Sequence, residues 1–312
     1  MRPLILLWVI VLLPSIYAAD TFGQVNPDNI RETIALYESS VRNLAASGTF
    51  TVKNASEGSS REFSGTFELM NSDSKFSFTF EIRKTSRVES DLRVFFDENK
   101  YQIVGDGENV LVVRFSPSIT TGCEASLYAH EGFDYLIEFP EMPIKPSLGI
   151  ENFSVPKADL RHLESAQSTV DGVEVAYQLG KGTIIKYLLL PEFSLALGRR
   201  RVELIDGSLY SLDERSYKKV DGHTIPVAFK HSRYRNGIAD RVIELEFDHF
   251  ELSASNDPEL FTINGVDFCE KARIVDNTVD ANHIVHSSSS NGFRSSTKAI
   301  KPAVAEFRET EQ

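Results

Sequence analysis

The sequence predicts a mainly β fold, an α+β chain in which one long antiparallel meander follows an N-terminal helix. The clearest strand is KFSFTFEIR at residues 75–83, where apolar and polar side chains alternate. Short turns separate successive strands, as at Asp221-Gly222 and Asn236-Gly237. Because such dipeptides accept the positive φ angles of tight hairpins, the strands that they join are expected to be antiparallel neighbours.

The first 18 residues have the form of a secretory signal peptide. Met1-Arg2-Pro3 is a short basic start, residues 4–13 are an unbroken apolar run, and Ala18 ends a small-residue cleavage site. The run is too short for a membrane-spanning helix, which needs about 20 apolar residues. We therefore expect an exported protein, periplasmic or extracellular after cleavage near Ala18, with no transmembrane span in the mature chain.

An amphipathic helix is predicted at the start of the mature chain. Asn26 is a favourable N-cap, and Pro27 fits the first helical position. An apolar stripe follows at helical spacing, formed by Ile30, Ile34, Tyr37, Val41 and Leu44. Because the polar face is not enriched in Lys or Arg, the helix is expected to pack on the sheet rather than lie on a membrane.

Two regions depart from the strand pattern. Between residues 117 and 168 the alternation loosens, and four prolines break the chain into loops: Pro140, Pro143, Pro146 and Pro156. After residue 277 the chain becomes Ser-rich and weakly apolar, which is typical of disorder. We therefore predict a signal peptide over 1–18, a β-rich domain over 19–276 and a disordered tail over 277–312.

Charge and cysteine content limit the classes of partner. The formal net charge of −12 argues against nucleic acid and disfavours an anionic membrane surface. In an oxidising compartment the two cysteines, Cys123 and Cys269, either form a disulfide or stay as free buried thiols. A bridge would close a loop of about 146 residues, worth about 4–5 kcal/mol if its effect is on chain entropy.

A search for catalytic or metal-binding motifs assigns no catalytic residue, no metal and no cofactor. The seven histidines form no zinc-type pair, and the cysteines are not at metal-ligand spacing. Glu244, Glu246 and Asp248 alternate on one face of a strand, a pattern that a hydrolase could use. The simpler interpretation is a solvated face on which Lys230 or Arg233 pairs across the hairpin.

Two further features have both a structural and a functional interpretation. His249 follows Ile243, Leu245 and Phe247 on the apolar side of its strand, which favours a hydrogen-bonded core or rim residue over a catalyst. The triple-arginine run at residues 199–201 favours a strand-entry turn on the surface over a docking site for an acidic headgroup or partner.

The aromatic content is high, with 21 Phe and 10 Tyr, and many of these residues fall on one face of alternating strands. One interpretation is a core covered by the N-terminal helix. The other is a concave apolar surface, because a curved sheet under a helical lid leaves a cavity for a lipid-like ligand.

The order of elements resembles the periplasmic lipoprotein-carrier superfamily (LolA/LolB-like). The similarity rests on the helix and first strand, IRETIALYESSVRNLAASGTFTV, and on the closing stretch. There Thr224-Ile225-Pro226 precedes a hairpin and an acidic strand that leads to residues 257–261, DPELF. The resemblance implies an unclosed antiparallel β-barrel, a half-barrel with helices packed on its concave face around a hydrophobic cavity.

The function that the resemblance implies is that of an exported, non-enzymatic carrier or binding protein for a lipid or a lipidated protein. The residues expected to line its apolar surface are Phe76, Phe78, Phe80, Ile243, Leu245 and Phe247. Two alternatives stay open. One is an envelope sensor or scaffold that binds protein partners on the same fold, and the other is an exported hydrolase that uses the carboxylates at 244, 246 and 248.

Overall fold

The structure is a computed structural model. It describes residues 30, 32, 43–56, 59–89, 92–95, 99–117, 119, 122–130, 142–143, 155, 165–180, 182–252, 258–262, 266, 273–277, 284–289 and 292–294. The predicted signal peptide and most of the predicted helix and Pro-rich region lie outside these ranges.

The described chain forms 17 strands in one sheet. The first seven are β1 (Asn43–Ser56), β2 (Ser59–Ser72), β3 (Lys75–Glu89), β4 (Leu92–Phe95), β5 (Asn99–Gly105), β6 (Asn109–Phe115) and β7 (Cys123–Ala129). The next seven are β8 (Ser165–Thr169), β9 (Gly172–Leu179), β10 (Thr183–Leu190), β11 (Ala196–Leu204), β12 (Leu209–Val220), β13 (His223–Arg235) and β14 (Ile238–Leu252). The last three are β15 (Arg273–Asp276), β16 (Ile284–Ser289) and β17 (Gly292–Arg294), and short 3₁₀ helices span Pro191–Phe193 and Pro258–Phe261.

Two antiparallel meanders meet at the centre of the sheet. The first runs from β1 through β2, β3, β5 and β6 to β7, with β4 beside the far end of β3. The second runs from β8 to β14 in chain order, and β14 pairs with β1. The strands β15, β16 and β17 extend the first meander beyond β7, and β7 with β15 is a parallel pair. Within the described ranges no pairing joins β8 to β17, so the predicted mainly β, unclosed fold is confirmed.

The predicted helix is described at two positions. Ile30 and Glu32 are helical, with Ile30 fully buried and Glu32 exposed, as the predicted stripe requires. The predicted end of the helix is wrong, because β1 already begins at Asn43. Leu44 pairs with Leu252 on one side and with Asn71 on the other. These two sets of backbone hydrogen bonds outweigh the helical spacing of Leu44 in the sequence.

Two glycines bend the centre of the sheet. Gly48 lies at a bulge between β1 and β14, and Gly65 lies at a bulge between β2 and β3. A Cβ on Gly48 would overlap the carbonyl oxygen of Glu246, and one on Gly65 would overlap that of Glu81. Bulges increase the local twist, so these close approaches curve the sheet.

The predicted turns are present. Asp221 and Gly222 have φ angles of 50° and 82°, and Asn236 and Gly237 have φ angles of 53° and 76°. Both positions of each pair are left-handed, as a type I′ hairpin turn requires. The turn between β2 and β3 was not predicted, because Asp73 adopts a φ of 52° without a following glycine.

Two short strands fall within the segment predicted to be a disordered tail. The strands β16 and β17 lie within residues 277–312, and β16 pairs with β15. A strand edge offers backbone hydrogen-bond partners to a polar segment, as β15 does to β16.

The strands β5 and β6 are buried on both faces, and β7 is buried on the face away from the main core. Val104, Leu111, Val113, Cys123 and Ala125 form a cluster with Val266 on the face away from the main core. Cys123 is fully buried and disulfide-bonded. Cys269 lies outside the described residues, and its pairing with Cys123 stays a prediction.

Candidate functional site

One face of the sheet, which we call the inner face, carries two apolar clusters. The six residues expected to line an apolar surface all belong to the first cluster or pack against it. Phe78 and Phe80 are fully buried, whereas Phe247 is half-buried. The second cluster lies on strands β9, β10 and β11 and consists of Val173, Val175, Tyr177, Ile185, Tyr187, Leu189, Leu197 and Val202, with Ile30 and Val155.

Aromatic rings form the centre of the first cluster. Phe80 stacks on Tyr101 with ring centroids 4.6 Å apart, and it meets Phe50 edge to face at 6.0 Å. Phe78 lies 5.4 Å from Phe80 on the same strand. Strand alternation places Phe78 and Phe80 on one face, and the register places Tyr101 directly opposite Phe80.

The half-buried members mark the rim of the first cluster. Phe247 meets Phe67 and Phe250 edge to face, at centroid distances of 5.7 and 5.6 Å. Tyr128 and Ile225 are also partly exposed and pack against the cluster. These three side chains are therefore the apolar groups that a ligand would meet first.

The inner face is covered by chain segments outside the sheet. Met142 is buried in the first cluster, and its carbonyl oxygen accepts a 2.9 Å hydrogen bond from Arg241 Nη2. Ile30 and Val155 are buried in the second cluster. Because all described strands belong to one sheet, no second sheet packs on this face in the described part of the chain.

A partly buried group of charged side chains, which we call the charged row, separates the two apolar clusters. Across neighbouring strands the register pairs Tyr187 with Arg200, Arg200 with Asp213, Asp213 with His231, and His231 with Ile243. Directly paired residues share a face, so the row runs from the second cluster to the first along the inner face.

Asp213 is the centre of the charged row. Its Oδ1 lies 2.6 Å from His231 Nδ1, and its Oδ2 lies 3.6 Å from Arg200 and 3.7 Å from Arg215. Burial raises the pKa of Asp213, but the His231 hydrogen bond and the charges of Arg215, His231 and Arg200 outweigh it and hold that pKa below its ordinary value. Asp213 is therefore ionised at neutral pH.

Arg215 extends the charged row toward the aromatic rings. Its side chain is 1% exposed, and its guanidinium lies 5.1 Å from the centroid of Phe229. Phe229 pairs with Leu245 of the first cluster. A cationic group is thus held against the apolar surface by a cation–π contact.

The charged row was not predicted from the sequence. The prediction of a surface turn at residues 199–201 is wrong, because all three arginines lie within β11. Alternation places Arg200 on the inner face and its two neighbours on the other face. The available signal was in β12, where Asp213 and Arg215 share the parity of the buried Tyr217.

The alternating carboxylates lie on the opposite face. Glu244 Oε1 is 2.9 Å from Lys230 Nζ, which confirms the predicted cross-strand pair, whereas Arg233 pairs instead with Asp240 at 3.0 Å. The hydrogen bond from Lys230 lowers the pKa of Glu244, so this carboxylate does not donate a proton at neutral pH. Glu244 and Glu246 line a groove of about 350 Å³ together with Thr49, Phe50, Thr51, Ser64, Gly65, Thr66 and Arg83.

The core or rim position predicted for His249 is wrong. The β14 bulge opposite Gly48 leaves Asp248 unpaired, so Phe250 rather than His249 takes the inner position opposite Ala46. His249 is 61% exposed and lies 3.6 Å from Glu251.

The described residues contain neither a metal-binding cluster nor a membrane-spanning helix. No three of their His, Cys, Asp or Glu side chains are grouped to hold a metal ion. None of the helices in the described ranges is long and apolar enough to cross a membrane.

Comparison with known proteins yields structural neighbours alone. No protein-family model and no curated protein matches the chain. A DUF1329 family protein from Desulfovibrio piger has a TM-score of 0.45 and 9% identity, covering 76% of this chain and 95% of that one.

Two other neighbours cover the same share of this chain. A putative outer membrane lipoprotein-sorting protein domain from Vibrio parahaemolyticus has a TM-score of 0.39 and 12% identity over 97% of its length. A LolA superfamily protein from Nitrosomonas europaea has a TM-score of 0.39 and 10% identity over 98% of its length. The structural neighbours therefore include the superfamily that the sequence resembles, although at TM-scores below 0.5 they carry no argument about function.

Proposed function

We propose that this chain is an exported, non-enzymatic carrier or binding protein that holds a lipid, or the acyl chain of a lipidated protein, on its inner face. The observation that carries the proposal is the single-layer sheet with an apolar inner face. Met142, Ile30 and Val155 pack on this face from outside the strands.

The driving force for binding is the removal of apolar surface from water. At about 25 cal/mol for each Å² buried, an acyl chain that covers the half-buried rim gains favourable free energy without any polar contact. Phe247, Tyr128 and Ile225 supply this rim, and the rings of Phe67 and Phe80 lie behind it.

The test begins with protein purified without detergent, which is examined by native mass spectrometry and by solvent extraction. A titration with a fatty acid that has a fluorescent polyene chain then measures uptake. The informative variant is Phe247→Ser, because this residue is half-buried and its loss leaves the fully buried rings in place. The matched control is Ile238→Ser, an apolar residue of the same strand that is 72% exposed near the hairpin turn.

Co-purified lipid, or uptake that Phe247→Ser weakens and Ile238→Ser preserves, supports the proposal. A protein of bare polypeptide mass that takes up no fatty acid contradicts it. That result favours the alternative of a packed scaffold that binds protein partners.

A further inference from the structure

We propose that the charged row recognises the phosphate headgroup of an anionic lipid whose acyl chains lie on the first apolar cluster. This inference rests on the proposed function and adds the chemistry of the ligand's polar end. The groups assigned to the headgroup are Arg200 and His231, with Arg215 behind them.

Arg200 lies in line with the first apolar cluster. Arg200 on β11 and Ile243 on β14 occupy the same register row, three strand spacings apart. Neighbouring strands lie about 4.8 Å apart, so the backbone positions of Arg200 and Ile243 are about 14 Å apart. A lipid whose headgroup lies at Arg200 therefore has apolar surface within reach of its chains, along one continuous face.

Cationic side chains outnumber carboxylates in the charged row. Around the single carboxylate of Asp213, the described side chains place two guanidinium groups and one imidazole. Removing charges from water between apolar clusters costs free energy. Packed apolar residues in place of these charged side chains would therefore leave the folded state as stable or more stable. Fold stability therefore does not account for the charged row, whereas binding of an anionic ligand does.

Two side chains of the charged row are accessible to a ligand. The side chain of Arg200 is 32% exposed and that of His231 is 26% exposed, whereas Arg215 is almost fully covered. The two outer groups are therefore open to a ligand, and the carboxylate of Asp213 holds them from behind. The planar guanidinium fork of Arg200 matches two oxygens of a phosphate group.

The overall acidity of the chain separates this site from a membrane-docking surface. A net charge of −12 repels an anionic bilayer as a whole. A single lipid held between two apolar clusters is shielded from that repulsion because its charge meets the arginines of the row. The proposal therefore concerns a monomeric lipid.

The test compares headgroups on identical chains. Short-chain phosphatidylglycerol and phosphatidylcholine, each below its micelle concentration, are titrated into the full chain by isothermal calorimetry, and inorganic phosphate is titrated separately. The variants are Arg200→Gln and the matched control Arg199→Gln, which removes the neighbouring arginine from the other face of β11. Circular dichroism and thermal unfolding confirm that both variants fold.

We expect phosphatidylglycerol to bind more tightly than phosphatidylcholine, and Arg200→Gln to weaken phosphatidylglycerol binding about tenfold, the loss of one charged hydrogen bond. Phosphatidylcholine carries the same phosphate but also a choline cation that the arginines of the row repel, so Arg200→Gln should weaken its binding less. Both affinities of Arg199→Gln should stay unchanged. Equal binding of both lipids with no effect of Arg200→Gln overturns the headgroup site but leaves the proposed function intact. Binding of neither lipid overturns the headgroup site, and together with no uptake of the fluorescent fatty acid it overturns the proposed function as well.

The phosphate titration separates a lipid headgroup from free phosphate. Inorganic phosphate that binds as tightly as phosphatidylglycerol, and loses affinity in Arg200→Gln, overturns the assignment to a lipid. Weak or absent phosphate binding, beside tight phosphatidylglycerol binding, supports it.

Discussion

Asp213 and His231 face each other directly across β12 and β13, with the imidazole Nδ1 2.6 Å from the carboxylate oxygen. The pair lies on the inner face between two apolar clusters, where Asp213 is 6% exposed. A carboxylate in such a place is stable as an anion only while its cationic neighbours remain beside it.

The substitution Asp213→Asn should destabilise the protein at neutral pH by about 3–5 kcal/mol, because it leaves buried cations without their anion. The pKa of Asp213 is depressed in the folded state, so its contribution is present above the unfolded value of 3.8 and is lost as pH falls through the folded value. Urea unfolding at pH 7 and pH 3 should therefore show a smaller difference between variant and wild type in acid. A difference that is constant with pH would contradict this account.

The substitution Phe80→Ala should lower the free energy of unfolding by about 3–5 kcal/mol, because the fully buried ring contacts Phe50, Phe78 and Tyr101. Ile238→Ala is the control, and as an exposed substitution it should change that free energy by less than about 0.5 kcal/mol. Equal stabilities in denaturant titrations would show that the ring is not part of a packed cluster.

The substitution Gly65→Ala should destabilise the sheet by about 1–3 kcal/mol, because the new Cβ overlaps the Glu81 carbonyl oxygen at the bulge. Gly182→Ala introduces a Cβ that meets nothing within 4 Å, so it should have little effect on stability. Thermal unfolding of both variants checks the comparison, and an equal shift in Tm for the two would rule out close backbone approach as the cause.

The substitution Glu244→Gln should cost less than about 1 kcal/mol, because Glu244 and Lys230 are 42% and 46% exposed and water screens their attraction. The pKa of Glu244 is lowered in the folded state, so this small contribution should vanish as pH falls through it. Lipid uptake should be unaffected, since the groove lies on the outer face. A loss of uptake in the fluorescence titration would place the ligand on the carboxylate face instead.

The sequence was sufficient for the elements whose pattern is local. The alternation of Phe76, Phe78 and Phe80 determines a strand with one apolar face, and the Asp-Gly and Asn-Gly turns determine antiparallel neighbours. Burial of these side chains in one cluster with Ile243 and Leu245 follows once β1 joins β14 to β2.

The charged row depends on register between strands distant in the chain, which local pattern does not contain. Arg200 meets Asp213 and His231 because β11, β12 and β13 align at those positions, and a shift of one residue would place them on the other face. His249 shows the same limit, because one unpaired residue at a bulge reversed the predicted alternation.

The two-sided burial of β5 and β6 distinguishes them from β8, which ends the sheet on the other side. Apolar side chains cover both faces of β5 and β6, whereas the turn between β8 and β9 and the end of β9 expose Val170 and Leu179 to water. Amide protons should therefore exchange slowly in β6 and rapidly in β8. Local opening of the sheet should therefore begin at β8, while β5 and β6 stay paired.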